Sequence, residues 1–263
     1  MLRRQTIHGP SILLKKRFGQ HFLTDRSILT RIVQFANIRP DDTIVEIGPG
    51  AGALTAQLAA AAHRVIAIEI DKDLIAGLRA GMPANVEIVE GDALLMDFPY
   101  GRFHLVGNLP YNVATPLFKR FIENRGRIID ATVMIQKEVA ERLIAKPGSG
   151  DYGPLSVLIQ YYATVSYGFT VPPGAFKPRP KVDSALIRLD WKPNVTEAHE
   201  FTDFVQQTFS SRRKTFANNL LQAFPGLGRH EVLHRMEQAG IRMNVRPEEL
   251  SVDEFLRVYN QFR

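Results

Sequence analysis

Apolar positions along the chain recur with two different periods. From about residue 25 to residue 190, short β-branched runs alternate with longer stretches of helical spacing, the pattern of a parallel sheet joined by crossover helices. The runs fall at 43–47, 65–69, 86–89, 104–106 and 131–135, with helices expected over 53–61, from about Asp71, over 115–123, up to about Ala145 and over 155–161. Two later strands, near 164–171 and 185–189, flank a Pro-rich connection over 172–180. Beyond Trp191-Lys192-Pro193 only helical spacing remains, over 197–209, 212–224, 229–239 and 248–262, with breaks at Pro225-Gly226, Gly240 and Pro247. The pattern predicts an open α/β sheet domain over 18–191, preceded by a basic arm over 1–17 and followed by a small all-helical C-terminal domain over 192–263.

Ligands of such sheets bind beyond the carboxyl ends of the strands, which selects the Gly48 loop, Glu69, Asp92 and Asn108. Glu46-Ile47-Gly48-Pro49-Gly50-Ala51-Gly52 joins the first strand to a helix, and its glycines allow close approach of a ligand beside the helix N-terminus. A nucleotide-type site and a simple tight turn explain this loop equally well. Glu69, at the end of the second strand, adds a carboxylate able to accept hydrogen bonds from both hydroxyls of a ribose. NAD would satisfy that carboxylate too, but the glycines run Gly-x-Gly-x-Gly rather than Gly-x-Gly-x-x-Gly. Asp92 follows the third strand, where it is either an acceptor for an adenine amino group or a solvated turn residue.

Gly107-Asn108-Leu109-Pro110-Tyr111 follows the fourth strand. An adenine amine is a poor nucleophile because its lone pair is delocalised into the ring. Acceptance of both N–H bonds, by the Asn108 side-chain oxygen and a backbone carbonyl such as that of Leu109, would turn the lone pair towards a sulfonium methyl donor. Pro110 would stiffen the loop and Tyr111 would offer a face to the base. Such a displacement rests on positioning and desolvation, and calls for no metal.

Charge and composition narrow the picture. Basic residues outnumber acidic ones by 33 to 27, and Arg3, Arg4, Lys15, Lys16 and Arg17 supply five of the six excess charges. That acid-free start weakly resembles an organelle transit peptide, but a phosphate-touching arm explains it better. Further basic clusters stand at Lys119, Arg120, Arg125 and Arg127, at Lys177, Arg179 and Lys181, and at Arg212, Arg213 and Lys214, as candidates to hold phosphates or as solvated faces. There is no cysteine, which removes disulfides and thiol chemistry. No apolar run approaches the ~20 residues of a membrane span, so a soluble, cytoplasmic monomer is expected.

Five segments carry a family resemblance. They are Gly19-Gln20-His21-Phe22-Leu23, the Glu46 to Gly52 loop, Asn108 to Tyr111, Gln136-Lys137-Glu138-Val139 and Phe176-Lys177-Pro178-Arg179-Pro180-Lys181-Val182-Asp183-Ser184. In this order they resemble the ribosomal small-subunit RNA adenine dimethyltransferases, and Arg212-Arg213-Lys214-Thr215 with Asn218-Asn219-Leu220 resembles their helical tail. The resemblance runs from about residue 18 to 190 and leaves residues 1–16 outside. It implies a Rossmann-like class I methyltransferase sheet, S-adenosylmethionine as cofactor, and N6,N6-dimethylation of two adjacent adenines near the 3′ end of small-subunit (16S) RNA during 30S assembly. It further implies that His21 and Leu23 line the methionine end of the cofactor site, Gly48 and Gly50 its loop, Glu69 its ribose and Asp92 its adenine. Asn108 would serve cofactor and target amine, with Tyr111 and Phe176 sandwiching the flipped base. Phe176 is otherwise a core residue, though its Pro-rich loop points to exposure. Enzymes of the same superfamily acting on large-subunit RNA share nearly all these motifs; a non-catalytic RNA-binding module would leave the retained Asn108, Tyr111, Glu69 and Asp92 unexplained, and for an NAD-linked oxidoreductase there is no obvious hydride-transfer constellation.

Overall fold

The β-branched runs assemble into one seven-stranded sheet in the order β6-β5-β4-β7-β8-β11-β9. Its strands are β4 (Thr43–Ile47), β5 (Arg64–Glu69), β6 (Val86–Glu90), β7 (Phe103–Asn108), β8 (Ile128–Gln136), β9 (Ala163–Val171) and β11 (Ser184–Trp191). The structure is a computed structural model that describes residues 20–263, apart from 99, 100, 112, 194, 196–198 and 212, together with β1 (Arg4–Gln5) and β2 (Ile12–Leu13). β1 and β2 pair antiparallel. The rest of the basic arm, Gly19 of the first motif and Arg212 lie outside the described residues.

Strands β4 to β8 are parallel, as their continuous apolar runs require for burial on both faces. β11 runs antiparallel to β8, with Ser184 opposite Gln136. The chain winds from β4 through β5 to β6 in one direction and from β7 to β8 in the other, so the topological switch lies between β4 and β7, where such sheets open a ligand crevice.

The helices α2 (Ala53–Ala61), α3 (Lys72–Gly81), α4 (Ala114–Glu123) and α5 (Lys137–Ile144) follow from the sequence pattern, and α1 (Arg26–Ala36) precedes them, ahead of β4. α1 shows the local logic. Asp25 caps it by accepting from the Ser27 and Ile28 amides, and Ile28, Leu29, Ile32 and Ala36 form its buried stripe. Asn37 then stops it in the left-handed conformation. At the amino ends of β7 and β8, and towards the carboxyl end of the antiparallel β11, a partly buried ionic group ties the layers together. His104 Nδ1 lies 2.8 Å from Asp130 Oδ2, which also accepts from Arg188 Nη2 at 2.7 Å, and Arg188 Nη1 donates to the Ala36 carbonyl. The hydrogen bond to Asp130 holds the His104 imidazole above its ordinary pKa.

A short antiparallel pair, β3 (Phe22–Leu23) with β10 (Phe176–Lys177), was not expected from the sequence. Two-residue strands leave no readable period.

The chain forms two compact units, residues 1–140 with 166–191 and residues 141–165 with 192–263. The expected boundary at 191 therefore omits an earlier segment of the second unit. In that unit α6 (Pro154–Tyr162) packs with α7 (His199–Thr208) and α10 (Val252–Phe262), and Tyr161 meets Phe201 at 4.5 Å between ring centroids. The Gly148 amide donates to the Glu248 carbonyl, and the Lys192 amide to that of Tyr162. The remaining helices are α8 (Phe216–Ala223) and α9 (Arg229–Gln238). α8 starts later than the apolar spacing suggests because Thr215 caps it, and α10 starts after a capping box of Ser251 with Glu254.

Candidate active site

A pocket opens at the carboxyl ends of β4, β5, β6 and β7, at the switch point. Its lining includes His21, Leu23, Gly48, Gly50, Glu69, Asp92 and Asn108 to Tyr111, so every expected site residue except Phe176 meets in one place.

The glycine loop and Glu69 are wired to each other. Gly50 sits at φ +58°, and its amide donates to Glu69 Oε2 at 3.1 Å; the Asp71 amide donates to Oε1 at 2.8 Å. A Cβ at Gly50 would lie 2.8 Å from the Phe22 ring, so the loop needs glycine for space as well as for conformation. Burial nonetheless raises the Glu69 pKa, against the pull of these two amides. Asp71, almost fully buried, caps α3 through the Asp73 amide and accepts from Gln20 Nε2 at 2.9 Å. Asp92 receives the Leu94 amide on Oδ1, a turn contact that leaves its second oxygen for a ligand.

Asn108 at the end of β7 donates from Nδ2 to the His21 carbonyl at 3.0 Å. A carbonyl can only accept, so this contact fixes the amide's orientation and leaves Oδ1 as an acceptor at the pocket wall. The Leu109 amide donates to the Met134 carbonyl, and the Val113 amide to that of Pro110, which closes the turn. The Tyr111 hydroxyl lies 2.7 Å from Ser184 Oγ, and its ring stacks on His21 with centroids 5.5 Å apart and planes at 28°. Burial pushes the phenol pKa up, so the hydroxyl stays protonated. His21 Nδ1 sits 2.8 Å from the Pro178 carbonyl and must carry the hydrogen there.

Two expectations need correction. Phe176 is 1% exposed and does not line the pocket. β10 pairs Phe176 with Leu23, and the ring joins the core beside Leu54, Ile32 and Val171. Burying a phenylalanine ring gains roughly 1.5–3 kcal/mol, enough to outweigh the exposed character of the surrounding prolines. The arginines of the basic cluster on and after α4 are tied to backbone. Arg120 Nη2 donates to the Met96 carbonyl, Arg127 Nη1 to that of Phe98 and Arg125 Nη1 to that of Ile122, so three of its four cations brace backbone.

Glu46, Gln20, Asp71 and Ser184 were not singled out from the sequence. Glu46 is the most consequential: it is 1% exposed, its Oε2 has no hydrogen-bond partner among the described residues, and burial, with the charge of Glu69 behind it, raises its pKa to about 8. A lone acid inside the apolar run Thr-Ile-Val-Glu-Ile was the available signal.

Comparison with known proteins agrees with this geometry. The family model described as ribosomal RNA adenine dimethylase matches residues 12–263. A ribosomal RNA small subunit methyltransferase A of Pseudomonas fluorescens is 41% identical over 261 residues, covering 94% of this chain and 93% of that one. Among solved structures, a dimethyladenosine transferase from Plasmodium falciparum superposes with a TM-score of 0.81 at 29% identity, covering 90% of this chain and 96% of that one. The 23S rRNA methyltransferase ErmE does so at 0.69 and 31%, covering 91% and 98%. Match to the family model over nearly its whole length, on a fold that gathers the family's motifs around one pocket, places this chain in the ribosomal RNA adenine dimethylase family.

Proposed function

We propose that the protein transfers methyl groups from S-adenosylmethionine to the N6 amine of two adjacent adenines near the 3′ end of small-subunit (16S) ribosomal RNA, giving N6,N6-dimethyladenosines during 30S assembly, as a monomer in the cytoplasm. No helix among the described residues is long and apolar enough to cross a membrane. The observation that carries the reading is the tethered Asn108 amide, whose Oδ1 stands as an acceptor beside Leu109 and the Tyr111 ring.

The pocket's chemistry fits the cofactor. S-adenosylmethionine carries an ammonium, a ribose diol and an adenine, and the pocket wall offers the buried carboxylate of Glu46, whose Oε2 is unpartnered among the described residues, the carboxylate of Glu69 and that of Asp92. When bound, the cofactor supplies an electrophilic methyl on a sulfonium. The chain's own part is positional: Asn108 Oδ1 and the Leu109 carbonyl accept the amine's N–H bonds, and Tyr111 presents a stacking face. Partial protonation of Glu46 in the free protein has a measurable consequence. An ammonium placed beside it favours the carboxylate, so cofactor binding near neutral pH is expected to release close to one proton. Affinity should then rise with pH and level off above about 8. Calorimetry in buffers of different ionisation enthalpy measures the release, which should vanish in Glu46→Gln.

The functional reading is tested by incubating separated, unmodified ribosomal subunits with methyl-labelled cofactor and mapping the products by mass spectrometry. Two adjacent dimethylated adenines in small-subunit RNA are expected. Label confined to large-subunit RNA would overturn the assignment.

A further inference from the structure

In the first unit the arginines around α4 and the cations of the later basic cluster differ in what their side chains do. The arginines around α4 are spent on backbone carbonyls, as described. Lys177, Arg179 and Lys181 are instead exposed, while Pro180 between them is buried, and none of the three makes a hydrogen bond or ion pair among the described residues.

This segment is also joined stepwise to the pocket wall. Thr24 donates its amide to the Ala175 carbonyl at 2.9 Å, Phe176 and Lys177 pair with Leu23 and Phe22, and His21 donates to the Pro178 carbonyl at 2.8 Å. His21 in turn receives Asn108 Nδ2 on its own carbonyl. Past the cations, Asp183 accepts the Lys137 amide and Ser184 holds the Tyr111 hydroxyl. The backbone of 175–184 is thus linked to the amine-binding turn at both ends, and the three cations stand exposed between those links.

We propose that Lys177, Arg179 and Lys181 are the phosphate grip of the site: they hold the RNA backbone on either side of the extruded adenine, at a distance from Asn108 set by the Pro178–His21–Asn108 chain. A base withdrawn from its stack leaves its flanking phosphates as the only fixed handles on the strand, and cations need no base identity to hold them. This rests on the reading under Proposed function, because it takes an RNA adenine as the guest.

The test is the salt dependence of RNA binding by the full chain. Each phosphate contact contributes about one unit to the slope of log affinity against log salt. The variant K177Q/R179Q/K181Q is therefore expected to lose two to three units of slope and about tenfold or more in affinity at physiological salt. Its affinity for S-adenosylmethionine should stay within about twofold, which shows that the fold is intact. K177R/K181R, which keeps the charges, should behave as the parent does. Lys119→Gln removes the same single charge from α4 as Lys181→Gln removes here, and only Lys181→Gln should change the slope. An unchanged slope in the triple variant, or an equal change from Lys119→Gln, overturns the grip. Failure of the parent chain to methylate any adenine would instead refute the functional reading.

Discussion

Asn108→Ala is expected to lower kcat for methyl transfer by about 10²–10³-fold, the loss typical when one preorganised polar partner of a reacting group is removed. RNA affinity should change by less than about twofold, because the phosphates carry most of it. The asymmetry follows from the tether. The His21 carbonyl holds Nδ2, so Oδ1 is aimed before any substrate arrives, and alanine removes the acceptor without touching the basic surface. Single-turnover transfer of labelled methyl and filter binding measure the two quantities separately. A variant as active as the parent would contradict the amine-positioning role, and a loss confined to RNA binding would place Asn108 in recognition instead.

Gly107→Ala should damage the site from below. Gly107 pairs with Ile47 across β4 and β7, and a Cβ there would come within 2.7 Å of the Ile47 carbonyl oxygen. Backbone cannot rotate away as a side chain can, so the two strands must part just where Gly48 and Asn108 leave them. The expected cost is about 3 kcal/mol, the upper end for overpacking, with a fall in melting temperature on the order of 5–10 °C. Cofactor affinity should fall with it, since both loops hang from those strands. Thermal unfolding with and without S-adenosylmethionine reads both effects; a melting temperature within a degree of the parent's would mean that the strands do not pair in this register.

The parallel strands were legible because a strand buried on both faces reads as an unbroken apolar run, and the site residues were legible because they stand directly after those runs. Glu69 and Asn108 are of this kind. Phe176 was not, because its burial depends on pairing with Leu23, some 150 residues earlier in the chain, across strands too short to carry a period. The same limit hid the fate of Arg120 and Arg127, whose charges suggest a ligand while their hydrogen bonds run to carbonyls of the 96–98 loop. The grouping of residues 141–165 with the C-terminal helices was hidden for a related reason: α6 has strand and helix neighbours in sequence on equal terms, and its partners show only in space, as where the rings of Tyr161 and Phe201 meet. Ser184 is a small polar residue in a strand until the Tyr111 hydroxyl is placed against it.

The stack of His21 on Tyr111 constrains how a guest can sit. Two aromatic rings in contact stand 4.5–7 Å apart, so a purine slipped between a pair would need roughly twice that. At 5.5 Å these two rings admit nothing between them, and Phe176 offers no opposite wall. On the proposed reading, an adenine at this site rests against Tyr111 on the side away from His21 rather than between the two rings.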